Sequence, residues 1–193
     1  MILSLKEKYK KEVVPEMIKK FGYKNIFQVP KIEKVVVNAG FGKQVCGKTT
    51  QEQKKIQEFI LRDLSLITGQ KPKITKARKA VSGFKLRKGM IVGAAAVLRK
   101  NRMYDFMEKL INIALPRTRD FKGIDEKSFD NKGNLTIAIR ENIVFPEISP
   151  EKSKITFGFE VTVATTAKRR EEGIMLLRLM GFPIKKSHQT RKI

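Results

Sequence analysis

The segment ITFGFEVTVAT (155–165) alternates apolar and polar side chains almost without a break. Ile155, Phe157, Phe159, Val161 and Val163 fall on one side, and Thr156, Glu160 and Thr162 on the other. That period of two marks a strand with one buried and one wet face. A sheet of such strands needs a second layer only on its apolar side. Outward from it, KIEKVVVNAG (31–40) reads as a strand entering a glycine turn, and MIVGAAAVLR (90–99) as a strand of unusually small side chains. A weaker strand is expected around Leu135, Ile137 and Ile139. Residues 71–88 read as a strand followed by a long polar, basic loop.

Four stretches carry helical spacing instead. Leu5, Tyr9, Val13, Met17 and Phe21 make 2–22 a helix, with a kink or break expected at Pro15. Ile56, Phe59, Ile60, Leu64 and Ile67 form one stripe of a helix from Thr50 to Thr68, stopped by Gly69. Met103, Phe106, Met107, Leu110, Ile111 and Ala114 define a helix over 102–115, ended by Pro116. A last helix, 169–180, stops at Gly181. Strands and helices mix without regular βαβ alternation. The expected fold is therefore α+β and two-layered, with helices on one face of a curved, largely antiparallel sheet. Nothing resembles a linker or a repeat, so residues 1–184 are expected to form a single domain, and 185–193 a flexible basic tail.

The 193 residues hold 42 Lys+Arg against 19 Asp+Glu, a formal charge of +23, with 41% apolar residues to build a core. A compact body this basic calls for a polyanion that neutralises it. One cysteine, Cys46, and one histidine, His188, cannot supply the four ligands of a structural zinc site, and no disulfide can close within the chain. No apolar run approaches the roughly 20 residues that span a bilayer. The N-terminus lacks a signal-peptide core. An anionic membrane would be met by a basic amphipathic helix with bulky aromatics, and the chain has no Trp. Nucleic acid is the favoured partner, with no membrane.

The charge is unevenly placed. Between Asp63 and Asp105 no acid occurs, while Lys71, Lys73, Lys76, Arg78, Lys79, Lys85, Arg87, Lys88, Arg99, Lys100 and Arg102 do. A short charge run is usually a solvated surface, but one this long without a carboxylate fits phosphate contact. Thr75, Ser82 and Gly83 add positions where backbone amides can approach phosphate. The small residues Gly93-Ala94-Ala95-Ala96 either pack tightly under a helix or offer a flat face to an RNA backbone.

One literal motif points elsewhere. GKQVCGKT (42–49) has the G-x-x-x-x-G-K-[ST] pattern between a strand and a helix, where backbone amides would cradle phosphates, Lys48 would reach the β/γ oxygens and Thr49 would hold magnesium. Against it, no apolar strand ends in an aspartate to complete the metal site, and the strands read as half-buried rather than as parallel core strands. No Ser/His/Asp set is in place, and Cys46 has no activating neighbour in sequence. Neither catalysis, cofactor nor metal is expected. The open alternative is a P-loop nucleotide-binding protein using Gly42–Thr49. A weaker third reading is a DNA-binding architectural protein.

Over about residues 5–186 the chain resembles the L5 family of large-subunit ribosomal proteins, which bind 5S rRNA. The most specific part is LSLITGQKPKITKARKA (64–80), continuing as VSGFKLRKG. VPKIEKVVVNAGFG (29–42), LPRTRDFKG (115–123), SFDNKGN (128–134), FPEI (145–148) and TTAKRREEG…GFP (165–183) support it, the last resembling the bacterial or organellar branch. The resemblance implies a cytoplasmic, ribosome-bound protein in the central protuberance, beside 23S-type rRNA and neighbouring large-subunit proteins. It implies 5S rRNA contacts by Lys34, Asn38, Gly40, Gly42, Gln70 and Arg99. It also implies that a basic loop, Lys71–Gly83, reaches the elbow of P-site tRNA through Lys71, Lys73, Thr75, Lys76, Arg78 and Lys79. A part around 134–148 would face a small-subunit head protein across an intersubunit bridge. Lys73 and Val97 depart from the family, which usually has an apolar residue and a threonine there. The GKQVCGKT match is not a family hallmark.

Overall fold

A computed structural model of the protein describes residues 4–149, 151 and 155–185. Five strands form one sheet: β1 (Ile32–Gly40), β2 (Lys73–Lys76), β3 (Ile91–Leu98), β4 (Leu135–Ile139) and β5 (Phe159–Thr165). Their order is β2-β3-β1-β5-β4, and every pairing is antiparallel. Register shifts at Ile32/Lys34 and Thr75/Lys76 interrupt two ladders, and such irregularities bend and twist the strands that carry them.

The helices are α1 (residues 5–21), the short α2 (Gly42–Val45), α3 (Thr50–Thr68), α4 (residues 100–117) and α5 (Arg170–Leu179). Val35, Val37, Ala39, Ala94, Leu98, Leu135, Val161 and Val163 on one sheet face join Met17, Ile60, Leu64, Met107, Leu110 and Leu177 from the helices in one buried cluster. Phe106, Phe145, Phe159 and Phe157 meet in sequence at centroid distances of 6.0, 5.7 and 6.2 Å, a separation at which rings attract beyond simple burial. The α+β, two-layer expectation holds.

Neither Pro15 nor Pro116 breaks its helix, and Pro116 does not end its own. α1 stays helical through Pro15, and α4 runs past Pro116 to Arg117. In each, a five-residue π-helical stretch, Tyr9–Val13 or Leu110–Ala114, comes just before the proline. A π turn widens the backbone where the ring would otherwise strike the carbonyl four residues earlier. A second correction is that β5 begins at Phe159, not Ile155. The amide of Phe157 donates to Asn142 Oδ1 at 3.4 Å instead of joining a ladder, and Asn142 Nδ2 donates to Asp63 Oδ2 at 3.1 Å. This buried pair ties the approach to β5 to α3. α3 matches its expected ends: Thr49 and Glu52 form a reciprocal capping box, and Gly69 at φ 64° closes the helix. The expected tail lies outside the described residues from 186 on.

Candidate nucleic-acid interface

Strand register decides what the open sheet face carries. Because side chains alternate, residues paired across strands share a face. One row runs Lys73–Ala95–Asn38–Glu160–Ala138, a second Val97–Val36–Thr162–Thr136, and a third Thr75–Gly93–Gly40. Lys34 pairs with Ala164 beside them. Among the described residues no helix covers these positions: Lys73, Asn38, Gly40, Val97, Glu160, Thr136 and Ala138 are exposed, and Val36, Ala95 and Thr162 are half-buried. At strand spacings of about 4.8 Å and rises of about 3.4 Å, the face measures roughly 20 Å each way. Its side chains are short and nearly all uncharged at the centre, with lysines toward the margins.

β3 serves both readings of its small residues. Ala94 and Ala96 are buried on the helix side, while Gly93 and Ala95 lie on the open face. A Cβ on Gly93 would come within 2.6 Å of Thr75 Oγ1 and 2.9 Å of the Ala39 carbonyl, so only glycine keeps these strands in register.

The structure gathers Lys34, Asn38 and Gly40 on this face, and Gly42 follows β1 against Val92. Gln70 and Arg99 sit at the Leu98 end of β3, where Gln70 Nε2 donates to the Val97 carbonyl at 3.3 Å and Arg99 pairs with Glu33 at 3.4 Å. The second set does not stay together. Lys73 and Thr75 belong to β2 and share the face with Asn38, whereas Arg78 and Lys79 stand in the loop beyond it and Lys71 precedes the strand. The loop is a built hairpin extension. Ala77 donates to the Met90 carbonyl at 2.8 Å, Gly89 to Ala77 at 2.9 Å, and Val81 and Leu86 exchange bonds at 3.0 and 3.1 Å. All eleven cations of the acid-free interval are at least partly exposed. Among the described residues only Arg99 of these lies within salt-bridge distance of a carboxylate. Of the β5–β4 half of the face, Glu160 and Thr162 were read from sequence only as the wet side of a strand, and Thr136 and Ala138 were not singled out. Their place there follows from the same alternation that identified the strands.

GKQVCGKT is not a phosphate cradle. The amides of Gln44, Cys46 and Lys48 donate to the carbonyls of Phe41, Gly42 and Val45 at 3.0, 2.9 and 3.3 Å. The Thr49 amide and hydroxyl donate to Glu52 at 3.0 and 2.8 Å, bonds that hold this carboxyl below the ordinary glutamate range. These four amides and the Thr49 hydroxyl are already used within the chain, and β1 pairs only with antiparallel neighbours. The segment instead lines a cleft of about 850 Å³ with Lys85, Arg87 and Lys88 of the basic loop. Titration calorimetry with Mg-ATP or Mg-GTP should give no heat beyond dilution for the wild type or for Lys48→Ala. Saturable, magnesium-dependent heat lost in the variant would restore the nucleotide reading. Among the described residues no group of three or more His, Cys, Asp or Glu could hold a metal ion, and no helix is long and apolar enough to cross a membrane.

With this geometry in place, comparison decides the lineage. Residues 25–87 match the family described as Ribosomal protein L5, and 91–184 match the ribosomal L5P family C-terminus. The chain belongs to the ribosomal protein L5 family. The two L5 segments meet within one sheet, since β3 from the second pairs with β2 and β1 from the first. Similar L5 proteins named large ribosomal subunit protein uL5 occur in Fervidobacterium nodosum, 52% identical over 182 residues (94% of this chain and 96% of the relative). Another, in Caldanaerobacter subterraneus subsp. tengcongensis, is 50% identical over 182 residues (94% and 98%), and one from Thermus thermophilus is 48% identical over 184 (95% and 98%). L5 membership makes this a structural ribosomal protein that binds rRNA in translation, not an enzyme.

Proposed function

We propose that this chain is a protein of the large ribosomal subunit in the bacterial cytoplasm that grips 5S rRNA with its open sheet face. The observation that carries this reading is the register-defined surface: Lys34, Asn38, Gly40, Lys73 and Thr75 stand on one uncovered face of small residues. Short side chains let an RNA backbone come close, and marginal lysines neutralise its phosphates. Gln70 and Arg99 extend the grip at one end of β3, and Gly42 at the other. Arg99 exchanges its exposed partner Glu33 for phosphate at little cost, since such surface pairs contribute about 0–1 kcal/mol. Glu160, the carboxylate on this face, accepts well from base amino groups and repels phosphate, so it favours one RNA register over others.

The end of β2 and the hairpin loop beyond it are proposed to reach P-site tRNA through Lys76, Arg78 and Lys79, with Lys71 just before the strand. Lys73 and Thr75 are better placed for 5S rRNA because β3 joins them to Asn38 and Gly40 across the sheet. The neighbourhood of β4 and the Asn142–Val144 turn, where Ile143 is exposed, is proposed to face a small-subunit head protein. 23S-type rRNA and neighbouring large-subunit proteins complete the setting. Changing Lys76, Arg78 and Lys79 together to Ala should leave 5S rRNA affinity within about twofold and weaken tRNA engagement by assembled ribosomes about tenfold or more. Filter binding for the first and tRNA binding to variant ribosomes for the second provide the check. Equal losses in both would contradict the division.

A further inference from the structure

The connection between α1 and β1 holds a feature that neither the sheet face nor the basic loop uses. Residues 26–28 form one tight 3-10 turn, capped by Asn25, whose side chain accepts the Phe27 amide at 3.0 Å. The Lys24 amide donates to Gln28 Oε1 at 3.2 Å, and Gln28 and Val29 donate to the carbonyls of Asn25 and Ile26 at 3.0 and 3.1 Å. The turn is thus firmly built, yet it holds Ile26 at 64% and Phe27 at 96% exposure. A single exposed hydrophobe is common, but two side by side on a pinned turn form a knob aimed at solvent.

The surroundings say what fits it. No acid lies between Glu16 and Glu33, an interval that contains Lys19, Lys20, Lys24 and Lys31. Lys31 is tied to Thr166 by bonds of 3.0 and 2.9 Å, which brings Lys168 and Arg169 to the same corner. The nearby Glu172 is engaged at the start of α5, accepting the Lys168 and Arg169 amides at 3.0 and 3.4 Å. Lysine is depleted from protein–protein contacts, so this rim suits a polyanion better than a protein groove. A flat aromatic ring in a cationic setting matches an unpaired base with its flanking phosphates.

We propose that Phe27 stacks on an unpaired rRNA base while Lys24, Lys31 and Lys168 meet the adjoining phosphates. The inference rests on the rRNA-binding reading above and adds a contact away from the sheet face. Irradiating intact ribosomes at 254 nm and mapping nucleotide adducts by mass spectrometry tests it directly. The expected result is an adduct on Phe27. Adducts on sheet-face peptides with none on 24–31 overturn the stacking and leave the rRNA reading standing, whereas a chain free of adducts throughout removes both. In parallel, Phe27→Ala should release from large subunits about tenfold more readily in a salt wash, with an unchanged salt slope, and Phe27→Trp should hold. Equal retention of wild type and Phe27→Ala overturns the proposal. Both variants should melt with the wild type, because the ring buries almost nothing.

Discussion

Raising the salt concentration from 50 to 200 mM should weaken binding of 5S rRNA by this chain about 10³-fold. The size follows from counterion release: each neutralised phosphate contributes close to one unit to the slope of log affinity against log salt, and about six such contacts give this loss over a fourfold change. The open face, its margins and the returning arm of the hairpin loop supply at least that many cations. Lys34, Lys73, Lys85, Arg87, Lys88 and Arg99 are all at least partly exposed, and among the described residues Arg99 alone of them lies within salt-bridge distance of a carboxylate. Exposed charges are screened within about 10 Å at 0.1 M salt, so the effect belongs to bound phosphate rather than to long-range steering alone. Replacing Lys34, Lys73 and Arg99 together with Gln should flatten the slope by about three units. The measurement is filter binding across a salt series. A flat wild-type curve, or a triple variant with the wild-type slope, would sink the electrostatic grip.

Much of this molecule is legible in one dimension because its elements obey their periods. The α3 stripe and its two caps, the alternation of Phe157 to Val163, and the glycine stops at 69 and 181 are local signals. What sequence reading divided, register reunites. Lys73 and Asn38 lie 35 residues apart and meet on one face only because each pairs with Ala95. The two prolines leave their helices unbroken because π turns just before them make room, and no residue type announces a π turn. GKQVCGKT shows the opposite failure. Its letters fit a nucleotide loop, but the pattern does not record that its amides already bond to Phe41, Gly42, Val45 and Glu52. Phe27 belongs to no periodic stripe, and its spelling does not distinguish it from a core phenylalanine.

Gly173→Ala should destabilise the fold by about 3 kcal/mol, a melting temperature about 10 °C lower for a chain of this size. Taken as a helix substitution alone, the change would be favourable by close to 1 kcal/mol. Packing decides the sign. A Cβ on Gly173, in the first turns of α5, would overlap the carbonyl oxygen and Cα of Gly133. Those atoms are backbone, and the turn that carries them is fixed. The Asp130 carboxylate accepts the Lys132 and Asn134 amides at 2.9 and 2.8 Å and the Asn134 side chain at 2.7 Å. The Thr165 hydroxyl donates to the Gly133 carbonyl at 3.1 Å, and the Thr165 amide donates to Asn134 Oδ1 at 2.8 Å. Burial alone would raise the Asp130 carboxyl, but the Asn134 and Lys132 bonds bring it below the ordinary aspartate range. Their support is therefore present above that range and lost as acid protonates the group. With the turn unable to retreat, α5 must lift from the sheet, loosening Leu176 and Leu177, both fully buried. Gly40→Ala is the matched control: a Cβ there meets nothing within 4 Å, so it should melt within about 2 °C of wild type while adding a methyl to the RNA-facing surface. Calorimetric melting of the two variants separates the effects, and a Gly173→Ala protein as stable as the control would mean that α5 and the 130–134 turn are not locked together.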